Sequence, residues 1–248
     1  NKTGRNRNLF WQIVMSVFYF LSTTLFISKM RKILSTTKID MVVLWNDMKW
    51  HQYVIKTLAQ NSSIKTIFFE NGALPNTVTL DSKGVNFNNS VPRMRDYYEE
   101  VGAINLASRK QVSINEGYIF VPFQVDYDTQ IISHSPWIKN MEDFYYALER
   151  LLDSLPNTIN IVIKEHPKSS RKYDYLHKKN SRITFNNTAN TDDLVQNSSI
   201  VMTVNSTVGL EAIIKDKATV VLGNAFYGID GRCQVVQSEH GLGSQVLR

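Results

Sequence analysis

The sequence predicts an α/β protein built on parallel sheets, and three observations lead there. Short apolar runs rich in Val, Ile and Phe alternate with segments of helical period between residues 39 and 222. Polar clusters follow those runs directly, at the strand ends where open parallel sheets bind ligands. A polar stretch, Ala73 to Ser113, separates one set of alternations from a second and divides the chain into two units.

The uncharged run from Asn8 to Ser28 has a helical composition, with Arg5 and Arg7 before it and Lys29, Arg31 and Lys32 after it. Its length reaches that of a membrane span, yet Gln12, Ser16, Ser22, Thr23, Thr24 and Ser28 interrupt it. No small-residue cleavage site follows, so no signal peptide is expected. A buried or half-buried core helix is the expectation, with a membrane-surface or spanning segment as the alternative. Ile39 to Trp45 reads as a strand, Trp50 to Gln60 as a helix, and Ile64 to Phe69 as a strand stopping at Glu70-Asn71-Gly72. Two clear strands are too few for a complete doubly wound domain, so its N-terminal part is expected to be missing. Ala73 to Ser113 reads as ordered loop plus linker.

The second unit opens with the strand Gly117 to Gln124 and the loop Val125 to Pro136. Met141, Phe144, Tyr145, Leu148, Leu151 and Leu152 form a helical stripe. Strands follow at Ile159 to Ile163, Ile183 to Phe185, Ile200 to Val204 and Ala218 to Leu222, with helices at Thr191 to Gln196 and Val208 to Ile214.

Composition narrows the function classes. With 248 residues, 43% hydrophobic and 20% charged, the chain is neither a disordered tail, a collagen-like rod nor a disulfide-stapled miniprotein. Its single cysteine, Cys233, permits no internal disulfide and suits a reducing compartment. A net charge of +6 suits a phosphate-bearing ligand or an anionic membrane surface. Walker-type and GxGxxG glycine loops are absent from the sequence, as are metal-ligand spacing and a basic–aromatic nucleic-acid pattern. His51, His177 and His240 are assigned no site.

Four strand ends carry polar clusters, at Glu70, Asp126 with Asp128, His166, and Ser206-Thr207, and the coincidence outweighs any one of them. Ser206-Thr207 sits between a strand and a helix, where free N–H groups can hold a phosphate, or where the hydroxyls simply cap. Lys164-Glu165-His166-Pro167 sets a cation and an imidazole just past a strand; it could serve a leaving phosphate or form a plain turn. Asp126 and Asp128 follow another strand, and alternation puts them on one side. There a carboxylate can be base, ligand or nucleophile, against the alternative of a solvated loop.

Five ordered blocks then resemble a known family. They are Glu70-Asn71-Gly72 with the segments around Leu74-Pro75, Thr79-Leu80-Asp81, Gly84-Val85-Asn86 and Pro92-Arg93; VPFQVDYDTQI with His134-Ser135-Pro136; KEHP; VNSTVGLEAI; and GNAFYGIDG. Together, over roughly residues 39 to 231, they are similar to the bacterial capsule polysaccharide synthesis family, which includes KpsS- and KpsC-like β-Kdo glycosyltransferases and related O-antigen enzymes.

The resemblance implies a GT-B-like arrangement of two Rossmann-like domains facing a cleft. An incomplete acceptor-side domain with linker would span 1–113, and a nucleotide-sugar domain 114–248. It implies CMP-Kdo as donor, a glycan or glycolipid acceptor, and retention through a covalent Asp intermediate. No cofactor, metal or nucleic acid is implied. Asp128 would be the nucleophile with Asp126 as fallback, Glu70 would activate the acceptor, and His166, Ser206 and Thr207 would stabilise the leaving phosphate. Asn71, Gly72, Gln124, Lys164, Pro167 and Asn205 complete the expected binding set. The expected location is the cytoplasm, with a peripheral contact at the inner membrane as an option. The rivals are another CMP- or UDP-sugar donor, or a non-catalytic capsule assembly or export subunit.

Overall fold

The computed structural model describes residues 9–101 and 117–246. The chain divides into two compact units, Asn1–Val85 and Asn86–Arg248. The boundary expected between residues 113 and 114 lies outside the described residues.

The first unit runs α1 (Leu9–Thr36), β1 (Met41–Trp45), α2 (Trp50–Asn61), β2 (Lys65–Asn71) and β3 (Val78–Asp81), with sheet order β1-β2-β3. β1 and β2 are parallel, as their β-branched and aromatic runs predict; β3 returns antiparallel from within the stretch expected to be loop. The return is tight. Gly72 N–H donates to Thr77 O at 2.7 Å, and a Cβ on Gly72 would meet Thr77 Oγ1 at 2.0 Å, so only glycine fits the Glu70-Asn71-Gly72 turn.

One face of this sheet packs Leu44 and Phe68 with Val85, and Val42 and Ile55 join them. The other face carries Met41, Val43, Trp45, Ile67, Phe69 and Leu80, of which Val43 and Leu80 are well exposed. The expected core helix over residues 8–28 is corrected: α1 is helical throughout but buries no residue. Its apolar side chains surround the whole cylinder, and α2 covers only a narrow stripe of it.

The second unit begins with α3 (Arg95–Glu100), again within the expected loop, then β4 (Tyr118–Pro122) and α4 (Thr129–His134). α4 corrects the reading of Val125 to Pro136 as loop. α5 (Met141–Leu152) follows the apolar stripe and buries Phe144, Tyr145, Leu148, Leu151 and Leu152, each worth about 1.5–3 kcal/mol in transfer free energy. Asn140 caps it through Asp143 N–H. Next come β5 (Asn160–Lys164), β6 (Ile183–Phe185), α6 (Thr191–Asn197), β7 (Ile200–Thr203), α7 (Thr207–Ile214), β8 (Ala218–Val221), β9 (Gln234–Val235) and α8 (Leu242–Val246).

All paired strands here are parallel, in the order β6-β5-β4-β7-β8-β9. The chain winds outward from β4 through β5 to β6, then returns to β7 and winds the opposite way. The order therefore reverses between β4 and β7, and a crevice opens beyond their carboxyl ends.

Candidate active site

Two buried amides lock that switch point. Gln124, two residues past β4, donates from Nε2 to Asn205 Oδ1 at 2.9 Å, and its Oε1 accepts from Asn205 N–H at 3.1 Å. Asn205 Nδ2 in turn donates to Gln130 O at 2.9 Å and His134 O at 3.3 Å. Loops from β4 and β7 are thus held by reciprocal bonds in a site that excludes water. The same carbonyl of His134 accepts from Asn224 N–H at 2.7 Å, which ties in the loop after β8.

The β7–α7 turn is shaped from both sides. Ser206 caps α7, its Oγ accepting from Val208 N–H at 3.3 Å, while Ser206 N–H donates to Thr203 Oγ1 at 3.2 Å. Tyr227, fully buried, donates its hydroxyl proton to Ser206 O and lies against Gly209, where an added Cβ would meet its oxygen at 2.4 Å. The cap reading of Ser206 is therefore realised. Thr207 stands exposed at the first turn, beside the positive end of the helix dipole.

The two aspartates part company. β4 ends at Pro122, so strand alternation does not govern residues 126 and 128. Asp126 is consumed by structure: Oδ1 accepts from Met141 N–H at 2.7 Å, and Oδ2 from Tyr173 Oη at 2.9 Å and Arg171 Nη1 at 3.2 Å. Burial and this carboxylate together raise the Tyr173 hydroxyl well above its ordinary value. Asp128 is exposed and caps α4 through Oδ1, which accepts from Gln130 N–H at 2.9 Å. Its Oδ2 accepts no hydrogen bond among the described residues. Of the pair, only Asp128 has an oxygen to spare.

In the KEHP turn, Lys164 Nζ donates to the carbonyls of Asn187 and Ala189, so its ammonium braces the loop after β6. Glu165 pairs with His177 Nε2 at 2.8 Å, which engages a histidine that sequence spacing assigned to nothing. His166 is half-buried, and its Nδ1 accepts from Lys168 N–H at 3.1 Å; a neutral ring therefore carries its proton on Nε2. Pro167 is exposed and ends the turn. Tyr127 Oη reaches Lys168 O at 3.5 Å, so the loops carrying Asp128 and His166 are neighbours.

Sequence reasoning missed Glu211, His134 and Asn224. Glu211 lies one turn beyond Thr207 on α7 and is half-buried, and its side chain makes no hydrogen bond or ion pair among the described residues. Burial raises its carboxyl above the usual range. The folded state then favours the protonated form, so this group's contribution is full below the ordinary carboxyl range. It is lost as pH rises through the raised value. Glu211→Gln should have the higher urea midpoint at about pH 7, and the gap should close near about pH 4. A gap independent of pH would remove burial of the charge as its cause. At the loop after β8, a cavity of about 370 Å³ is lined by Phe87, Arg93, Asn224, Asp230 and Gln237.

In the other unit, Glu70 and Asn71 end β2, with Gly72 directly after. Glu70 pairs across the ladder with Thr79.

A doubly wound parallel sheet with a polar switch point, preceded in the chain by a smaller three-stranded α/β unit, defines an α/β protein, and its fold is GT-B-like. The model of the capsule polysaccharide biosynthesis protein family matches residues 94–234, more than half of the chain, and the chain belongs to that family. It is 33% identical to Protein FixF of Sinorhizobium fredii over 201 residues, covering 76% of this chain and 49% of FixF. It is 31% identical to the capsule polysaccharide export protein KpsS of Escherichia coli, over 48% of this chain and 33% of KpsS. The chain thus spans about half the length of one relative and a third of the other. In fold it is similar to KpsC of Thermosulfurimonas dismutans, in a structure described as a beta Kdo 2,7 transferase. The TM-score is 0.57 at 19% identity, over 86% of this chain and 74% of that one. A second KpsC structure, a beta Kdo 2,4 transferase, matches with a TM-score of 0.57 at 16% identity, over 81% of this chain and 74% of that one.

Proposed function

We propose that this chain forms part of a retaining glycosyltransferase that moves Kdo from CMP-Kdo to a glycan or glycolipid acceptor in capsule or related surface-polysaccharide synthesis. The observation that carries the reading is the carboxyl edge of the parallel sheet around the switch point, where a helix N-terminus follows β7, an imidazole turn follows β5 and an aspartate with one open oxygen follows β4. Such an edge suits a donor that carries a phosphate and a sugar carboxylate.

In the proposed reaction, an Asp128 oxygen attacks the anomeric carbon of the donor sugar. The bond to the phosphate oxygen breaks and CMP leaves with the electron pair. The α7 N-terminus with Ser206 and Thr207, and His166 through Nε2–H, stabilise the charge that develops there. Glu70, on the other unit, removes the proton of an acceptor hydroxyl, which then displaces the Asp128 carboxylate. Two displacements restore the starting configuration. Asn71 and Gly72 shape the acceptor-side turn, and Lys164, Gln124, Asp126, Pro167 and Asn205 hold the donor-side loops. Donor and acceptor suffice for this chemistry without a cofactor. The reaction is assigned to the cytoplasmic side of the inner membrane.

His166→Ala tests the donor side. It should abolish the rise in melting temperature that CMP gives the full chain, and cut turnover of CMP-Kdo by about 10²-fold or more. Unchanged protection by CMP would move the nucleotide away from the KEHP turn. Protection by UDP but not CMP would replace the donor class.

A further inference from the structure

The geometry points to α1 as a bilayer-spanning anchor, whose partner is a phospholipid membrane containing anionic headgroups. This stands apart from the transferase reading and needs no donor.

The first observation is size. Leu9 to Ser28 gives 20 consecutive uncharged helical residues, which at the α-helical rise extend roughly 30 Å, the thickness of a hydrocarbon core.

The second is orientation. The half-buried positions of α1 are Met15, Ser22, Thr23, Phe26, Ile27, Met30 and Leu34, so its covered side mixes polar and apolar residues. The side facing away carries Val17, Phe18, Leu21 and Leu25, and exposure reaches 69% at Leu9, 70% at Phe20 and 71% at Leu25. A soluble surface helix keeps its outward side polar, and over this run α1 does not. An in-plane interfacial helix would need one strongly polar face, which α1 lacks.

The third is polar satisfaction. Ser16 Oγ donates to Gln12 O and Thr24 Oγ1 to Phe20 O, both at 2.8 Å, so these exposed hydroxyls are paired within the helix, as hydrocarbon requires. The fourth is charge. Arg5 and Arg7 precede the run in sequence, and exposed Lys29, Arg31 and Lys32 follow it, placing cations where lipid phosphates would lie. α1 also stays close to its own unit, since Phe26 meets Trp50 edge-on at 5.3 Å near the basic end. The anchor would therefore hold the first unit at the membrane surface.

The test uses the full chain with vesicles of phosphatidylcholine and a minority of phosphatidylglycerol. The chain should float with the vesicles and stay with them after washes in high salt and in alkaline carbonate. Lipids brominated midway along their chains should quench Trp11 fluorescence, read as the difference from Trp11→Phe. A Val17→Asp, Leu21→Asp double variant should lose at least about tenfold in the floated fraction, since a carboxylate at the centre of an inserted helix is strongly disfavoured. The quenching readout comes from the wild-type helix, so it stands even if that variant misfolds. Three results overturn the anchor: a chain that stays at the bottom of the gradient, one that salt or carbonate removes, or Trp11 untouched by brominated lipid. Lipid-free oligomers that the double variant dissolves, without wild-type flotation, would make α1 a protein-packing helix instead.

Discussion

Asp128→Asn is expected to abolish transfer, by about 10³-fold or more, while the variant folds and binds CMP like the parent chain. The reason is local. Asp128 holds the N-terminus of α4 through Oδ1, and asparagine caps a helix as well as aspartate does. What the substitution removes is the negative charge and nucleophilicity of the second oxygen. Incubation with CMP-Kdo and no acceptor, followed by peptide mass spectrometry, should find a Kdo-sized adduct on the peptide containing Asp128, and none in the variant. Asp126→Asn is the contrast, because Asp126 is already committed to Met141, Tyr173 and Arg171. Its loss should appear as lower stability and leave the adduct in place. An adduct confined to another carboxylate, or a product of inverted anomeric configuration, would end the case for Asp128.

The largest expected effect on stability comes from Asn205→Ala. The side chain serves three buried or half-buried partners at once: the Gln124 amide donates to it, and the carbonyls of Gln130 and His134 accept from it. Truncation takes a partner from the Gln124 Nε2–H and the Gln130 carbonyl, each at about 1–3 kcal/mol before any water enters, while the His134 carbonyl keeps the Asn224 N–H. A loss of about 3 kcal/mol is expected, seen as a fall in denaturant midpoint with an unchanged slope. A loss below about 1 kcal/mol would mean that the two loops hold their places without this amide pair.

Much of the second unit could be read from local pattern. Met141 to Leu152 repeats its apolar residues at three and four positions, and the structure places α5 over the same range. The β7-turn-α7 segment shows itself because Asn205-Ser206-Thr207 breaks a β-branched run before a helical one. The failures also have physical causes. α3 and α4 have six residues each, too short to complete a periodic signal, and β9 has only two. β3 is four residues whose pairing depends on β2, so Val78-Thr79-Leu80-Asp81 looks like polar loop until its partner is known. The bond between Gln124 and Asn205 spans 81 positions, beyond any spacing rule, although both strand ends could be located. For α1, length and apolarity were legible; which side it turns to the protein was not, because that depends on α2.

The contact between Tyr227 and Gly209 bears on how this family can drift in sequence. The tyrosine ring fills the space that a Cβ at position 209 would need, and its hydroxyl holds the carbonyl that begins α7. Neither position can change freely alone: a methyl at 209 evicts the hydroxyl, and a smaller residue at 227 leaves a hole beside the helix start. The two residues stand 18 positions apart, in segments that look like separate signatures, VNSTVGLEAI and GNAFYGIDG. They are one mechanical unit. Among homologues, substitution at 209 should therefore track substitution at 227, and a grafted site would have to carry both segments from the same parent.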